Sequence, residues 1–284
     1  MTVWSSYLAG ALAWFIATGA GVGSMQGGDP ARAPKDERLR TLSALASHRL
    51  EATSAQIADC LRSALTDPDA EIRAQGLAVI AGRAGRVRFD RSRSAVQAWS
   101  RDRPTLLTFR PLALRALADG NERVRRAAVV ALGNLEYEPS PSPQVSGITL
   151  NEELLREFDA QYRSDPSELV RAEIVKDVAL TRTQSTVRSQ LLVDALKDRS
   201  TQVVQYALMG IGEGHVAEGL PDLVRLLKHS NRVLRMNAAE AIAENGPEAG
   251  AYINDLRAAL SLETDPLVAK TLQGAIDALS QTTR

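Results

Sequence analysis

Three histidines, one cysteine and a plentiful set of carboxylates are the residues in this chain that could carry chemistry, and their spacing withholds it. His48, His215 and His229 each stand alone. A metal site wants ligands gathered on one face, most simply as His pairs or a His-Glu pair at helical spacing, and neither pattern occurs. The single Cys60 excludes an internal disulfide and a cysteine-built zinc site. Its Ala/Leu helical surroundings read as those of a small core residue. Neither a G-x-S-x-G elbow nor a phosphate loop is present. Gly19, Gly21 and Gly23 mimic a nucleotide loop without the strand, helix or downstream acid that would support one. Glu152 and Glu153 open a helix, where carboxylates favour the dipole. The expectation is therefore a chain with no catalytic residue, no metal ligand and no cofactor, and not an enzyme.

Binding chemistry is better represented. The stretch Gly85–Pro104 carries Arg86, Arg88, Arg91, Arg93, Arg101 and Arg103 against only Asp90 and Asp102, with Phe89 and Trp99 between them. Arginines interleaved with aromatics suit phosphate contact and base stacking, or an acidic protein surface. The plainer alternative is a solvated basic loop whose Trp99 packs on the body of the fold. Charge is uneven overall: 34 basic and 34 acidic residues cancel, yet from Asn151 onward there are 15 basic and 20 acidic ones, leaving about +5 before and −5 after.

The elements that must position these residues are short helices in pairs. In Leu112–Leu135 an apolar stripe at Leu112, Ala116 and Leu117 is broken by Asp119-Gly120-Asn121. A second stripe then runs through Val124, Ala128, Leu132 and Leu135. Two such helices bury their facing stripes but leave a flank exposed, which a further hairpin covers, so these units come in arrays. The pattern Asp, four residues, aliphatic, Arg recurs at Asp67/Arg73, Asp119/Arg125 and Asp165/Arg171. Looser copies begin at Asp198, His229 and Glu263. The aliphatic column is Ile72, Val124, Val170, Val203, Leu234 and Val268. Four residues on come Gly76, Ala128, Ile174, Ala207, Ala238 and Leu272, of which only Gly76 is not hydrophobic.

These units resemble HEAT repeats, particularly the short bacterial form of phycobilin-lyase-type proteins. The segments that carry the likeness are DPDAEIRAQGLAVIAGRAG, DGNERVRRAAVVALGNL and HSNRVLRMNAAEAIAENG. The resemblance implies an all-α, right-handed solenoid of about six stacked hairpins. It also implies a structural ladder between neighbouring units, which transfers to Asp67, Arg73, Asp119, Arg125, Asp165 and Arg171. Val204 and Ala269 replace the arginine further on, so the ladder is expected to fail towards the C-terminus. The paired His-Glu motifs of HEAT-type metal hydroxylases are absent from the sequence. Family architecture places second helices on the concave face. There one column, Gln75, Ala127, Glu173, Tyr206, Asn237 and Thr271, is mostly polar and varied. It is a candidate groove lining, or simply a solvated helix face.

The expected organisation is a hydrophobic segment at 1–28, a linker and capping helix at 29–50, and a solenoid at 51–281 with insertions at 85–104 and 136–147. Residues 3–22 are apolar and long enough to enter a membrane, as a cleaved export signal or a retained anchor. The chain is thus expected to be exported or membrane-tethered rather than cytoplasmic. The function expected is a non-catalytic scaffold that binds another protein along its concave face. Nucleic-acid binding through the arginine-rich insertion is the alternative. A bilin-lyase-like activity would rest on repeat resemblance alone.

Overall fold

The computed structural model describes residues 33–138, 147–181 and 183–282. The hydrophobic segment at 1–28 lies outside them, as does most of the Pro/Ser stretch after Glu138. No helix among the described residues is long and apolar enough to cross a membrane. The chain divides into two compact units, Met1–Ile148 and Thr149–Arg284.

In the first unit α1 (Lys35–Ala46) packs on α3 (Ala70–Gly85), which pairs with α2 (Ser54–Leu65). Then follow α4 (Arg93–Leu107), α5 (Arg110–Ala116) and α6 (Glu122–Leu135), with α6 laid along α3. A two-residue antiparallel ladder, β1 (Tyr137–Glu138) with β2 (Gly147–Ile148), closes this unit and departs from the helical pattern. The second unit is four hairpins: α7 (Glu152–Ser164) with α8 (Glu168–Leu180), α9 (Thr186–Ala195) with α10 (Thr201–Glu213), α11 (Leu220–Leu226) with α12 (Arg232–Glu244), and α13 (Ile253–Leu262) with α14 (Pro266–Thr282). Their second helices pack in series, α8 on α10, α10 on α12 and α12 on α14.

Local chemistry sets the helix starts. Thr53 makes a full capping box with Gln56, while Asp69, Ser92, Asn121, Asn151, Ser167, Ser185 and Asn231 each accept a backbone N–H of the first turn. The apolar column is buried throughout, from Ile72 to Val268. Gly76, its one exception four residues on, is explained by close approach: a Cβ there would stand 2.9 Å from the Cβ of Ala64 on α2.

Between hairpins runs a repeated polar joint. Arg73 donates to both carboxylate oxygens of Asp119 (2.8 and 3.0 Å) and, through Nη1, to the carbonyls of Asp67 and Pro68. Arg171 repeats this on Asp198 (2.7 and 2.9 Å) and on the carbonyls of Asp165 and Pro166. Each carboxylate also accepts the N–H two residues on, as Asp119 does from Asn121 and Asp198 from Ser200. One guanidinium thus bridges two loops with charge-assisted bonds. Arg125 donates to the carbonyls of Asp119 and Gly120 in the same manner.

The joint extends beyond the three expected pairs. Arg38 of α1 reaches Asp67 at 2.6 Å, so the capping helix behaves as a second helix with its own arginine. The expected failure towards the C-terminus is confined to one joint, because Arg235 binds Glu263 at 2.7 and 3.1 Å. Where Val204 stands in the arginine position, the next loop holds His229 in place of Asp, and its Nδ1 accepts the Asn231 N–H at 3.0 Å. The charge is thus missing from both sides of that joint.

The stretch at 85–104 differs from the loop its arginines suggested. It is helical from Arg93, and α4 carries Pro104 close to its C-terminal end. What hid the helix is Asp102 in a core position of the stripe Ala95, Asp102, Leu106. Asp102 is fully buried and bound at 2.6 Å to Arg83 of α3, itself 2% exposed, which also donates to the Leu50 carbonyl.

Candidate binding surface

The second helices of each unit approach closely because small residues line their contacts. In the second unit a Cβ on Gly210 of α10 would lie 2.8 Å from that of Ala179, and one on Gly212 would lie 3.1 Å from the Cα of Ala241. Helices drawn this near present one continuous surface rather than separate ridges.

On that surface the polar column is more enclosed than a solvated face. Glu173 is 7% and Asn237 3% exposed, while Tyr206 and Thr271 are half-buried. In the first unit Gln75 and Ala127 are half-buried at the same register. Partners account for some of them. Glu173 forms an ion pair with Lys176, and the Thr271 hydroxyl donates to the Leu267 carbonyl at 3.1 Å. Asn237 is different. Its Nδ2 is buried and makes no hydrogen bond among the described residues. A buried donor left without a partner costs about 1–3 kcal/mol.

Sequence reasoning missed what surrounds Asn237. Glu240 lies one turn further along α12, half-buried, with burial pushing its carboxyl above the usual range. Glu213 at the end of α10 is raised likewise, by burial, against the opposing charge of Arg188. The Glu244 carboxyl lies against Gly212 of α10. An Asn followed at three and seven residues by Glu was visible in the sequence, but the missing partner of Asn237 was not.

Arg188 of α9 is 2% exposed and ties three helices of the second unit together. It donates to the carbonyls of Val178 and Ala179 on α8 and Gly210 on α10, at 3.2–3.3 Å. One side chain so satisfies the ends of two helices.

The arginine-rich stretch is largely engaged with its own unit. Arg86 pairs with Asp90 at 2.9 Å, and the Ser92 hydroxyl and amide, with Arg86, hold that carboxyl down at about 2. Arg88 donates to Asn134 and lies 5.8 Å from the ring centres of Phe89 and Tyr137. Arg101 pairs with Asp102 at 2.8 Å, and Arg103 stacks over half-buried Trp99 at 5.2 Å while donating to the Leu135 carbonyl. Arg91 and Arg93 are exposed, as is Phe89 at 65%. Neither these residues nor any other described ones gather three metal-ligating side chains. Of the histidines, His48 and His215 adopt positive φ at the ends of α1 and α10 (55° and 49°), and both serve as helix terminators there.

A cavity of about 250 Å³ opens in the first unit between Leu65, Leu77, Leu112, Ala116 and Val124, closed on one side by the Arg73–Asp119 joint. Of its polar lining, Arg73 and Asp119 are spent on that joint and the Thr66 hydroxyl on the Arg62 carbonyl, while Arg115 stands beside them.

Comparison with known proteins agrees with this architecture. The family model for HEAT repeats matches residues 189–280. No curated protein matches the sequence. Among solved structures, an engineered protein is 18% identical, with a TM-score of 0.52 over 80% of this chain and 97% of its own. An archaeal HEAT-like repeats protein from Thermococcus onnurineus NA1 is 12% identical, with a TM-score of 0.52 over 87% and 98%. At such identities the likeness speaks to fold alone. Residues 189–280 match the HEAT-repeat model, and the chain has a HEAT-like helical-repeat fold.

Proposed function

We propose that the protein is a non-catalytic scaffold that binds another protein along the face of its second helices. The observation that carries this reading is register. Glu173, Tyr206, Asn237 and Thr271 occupy the same position in the second helices of four successive hairpins, so a partner lying across them follows one polar column in which Tyr206 and Thr271 are the more exposed members. Helices held by Gly and Ala contacts and by the arginine joints provide a stiff platform, and stiffness lowers the ordering cost of binding. Residues 3–22 would export the chain or tether it to a membrane.

Affinity capture from the source cells, with wild type beside Tyr206→Glu, tests this. The scaffold reading expects a discrete co-purifying protein that the substitution removes. Background alone with the wild type, or capture indifferent to Tyr206→Glu, overturns it.

Exposed Phe89 beside Arg91 and Arg93 favours a second reading, nucleic-acid binding by the first unit. Retention of a single-stranded oligonucleotide that falls steeply with salt, and with Arg91→Ala/Arg93→Ala, would support it. Salt-independent retention, or none, would end it.

A further inference from the structure

The cavity of the first unit combines an apolar interior with one uncommitted charge. Leu77 of α3 and Val124 of α6 are fully buried at its base, while Leu65 of α2 and Leu112 and Ala116 of α5 are half-buried around it. The polar lining is uneven in what it leaves free. Arg73 occupies both carboxylate oxygens of Asp119, one of which also accepts the Asn121 N–H. The Thr66 hydroxyl gives its proton to the Arg62 carbonyl. Arg115, in the last turn of α5, is exposed, and its guanidinium has no ion pair or hydrogen bond among the described residues. Arg73, Arg115 and Asp119 together leave one net positive charge in the lining.

We propose that this cavity binds a small aliphatic carboxylate, an acid of about eight carbons. Its chain lies against Leu65, Leu77, Leu112, Ala116 and Val124, and its carboxylate is held by the Arg115 fork. The site lies within the first unit and stands independently of the scaffold reading. Charge selects an anion, because a cationic ligand finds the one carboxylate of the lining already bonded, whereas an anion finds a guanidinium with its donors unused. Bare phosphate would satisfy Arg115 and leave the apolar walls wet, so the ligand needs a hydrocarbon body. Volume sets the length. An apolar cavity of ~150 Å³ takes the six carbons of benzene, so one of about 250 Å³ holds about ten heavy atoms, the size of octanoate. Binding would cover the half-exposed flanks of Leu65 and Leu112 and leave the Arg73–Asp119 joint intact.

Titration calorimetry of the full chain with straight-chain acids of increasing length tests this, beside octanol, octylamine and a peptide ending in leucine with a free carboxylate. Octanoate should bind and octylamine should not. Each added methylene should tighten binding about fourfold as far as about eight carbons, and later ones should add little. Arg115→Gln should weaken octanoate about tenfold and leave octanol unchanged. Ala116→Leu, which fills the space from its wall, should abolish binding of both. Absence of octanoate binding at millimolar concentration, equal binding of octylamine, or affinity that climbs undiminished to twelve carbons would overturn the assignment. So would Arg115→Gln or Ala116→Leu binding octanoate as the wild type does. Tighter binding of the leucine peptide than of octanoate would replace the small acid by a peptide C-terminus and overturn it too.

Discussion

Replacing Asp198 by alanine removes the acceptor at the centre of the second unit's first joint. Arg171 and Asp198 are only 8% and 5% exposed, so solvent cannot take over their charges. The substitution deletes two bonds from Arg171, one from the Tyr162 hydroxyl at 3.2 Å and the cap on the Ser200 amide at 2.8 Å. It leaves a guanidinium with only the carbonyls of Asp165 and Pro166. Breaking a buried pair from one side costs about 3–5 kcal/mol, and the two retained carbonyls argue for the lower figure, about 3. For a unit of this size that is a drop of about 10 °C in its unfolding transition. Calorimetry or circular dichroism of the full chain reads it. Arg163→Ala is the control: Arg163 is 48% exposed, and its pairs with Asp159 and Asp194 should be worth no more than about 1 kcal/mol. Acid gives an independent check. Burial pushes the Asp198 carboxyl up, but Arg171, the Ser200 amide and Tyr162 outweigh it, so the folded value lies below the ordinary one. A depressed carboxyl contributes stability that is whole above its unfolded pKa of about 3.9 and fades as pH falls through the folded value. The gap between wild type and Asp198→Asn should therefore hold steady from neutrality to about pH 5 and close below about pH 4. An Asp198→Ala cost no larger than that of Arg163→Ala, or a gap that survives acid undiminished, would refute the reasoning.

Three further outcomes follow from the same structure. Gly82→Ala drives a Cβ into the Ala46 carbonyl of α1 and should loosen that helix at about 1–3 kcal/mol, visible as faster amide exchange over residues 35–46, whereas Gly120→Ala meets nothing and should be neutral or gain up to ~1 kcal/mol. Arg188→Met strips three carbonyls of their donor and should cost about 2–3 kcal/mol by denaturant unfolding, despite relieving a buried charge. Val204→Arg alone buries an unmatched cation, but combined with His229→Asp it should rebuild the missing joint, with a favourable coupling of about 1–2 kcal/mol in a double-mutant cycle.

The helices were legible wherever a cap and a clean apolar stripe coincided. Ser54–Leu65 reads directly from Thr53 and the stripe Ile57, Leu61, Ala64, and α6 follows Asn121 and the stripe Val124, Ala128, Leu132, Leu135. Legibility failed where a charge replaces a core residue. Asp102 interrupts the α4 stripe, and its meaning depends on Arg83, which lies 19 residues earlier and on another helix. Arg38 escaped notice because no aliphatic residue precedes it, so its place in the joints emerges only from its approach to Asp67. The candidate face was visible as a polar column. That Asn237 lacks a partner while Glu173 has one is a three-dimensional fact that periodicity cannot express.

The joint at His229 has an implication for how such arrays can be rearranged. A hairpin that presents the joint arginine is matched by a successor that offers a carboxylate, whereas the α9–α10 hairpin, with Val204, presents no cation and is followed by His229, whose Nδ1 is occupied within its own loop. Shuffling, duplicating or deleting these hairpins would strand a cation or an anion at each mismatched seam. The order of modules in the second unit is therefore written into their edges, like a set of keyed connectors.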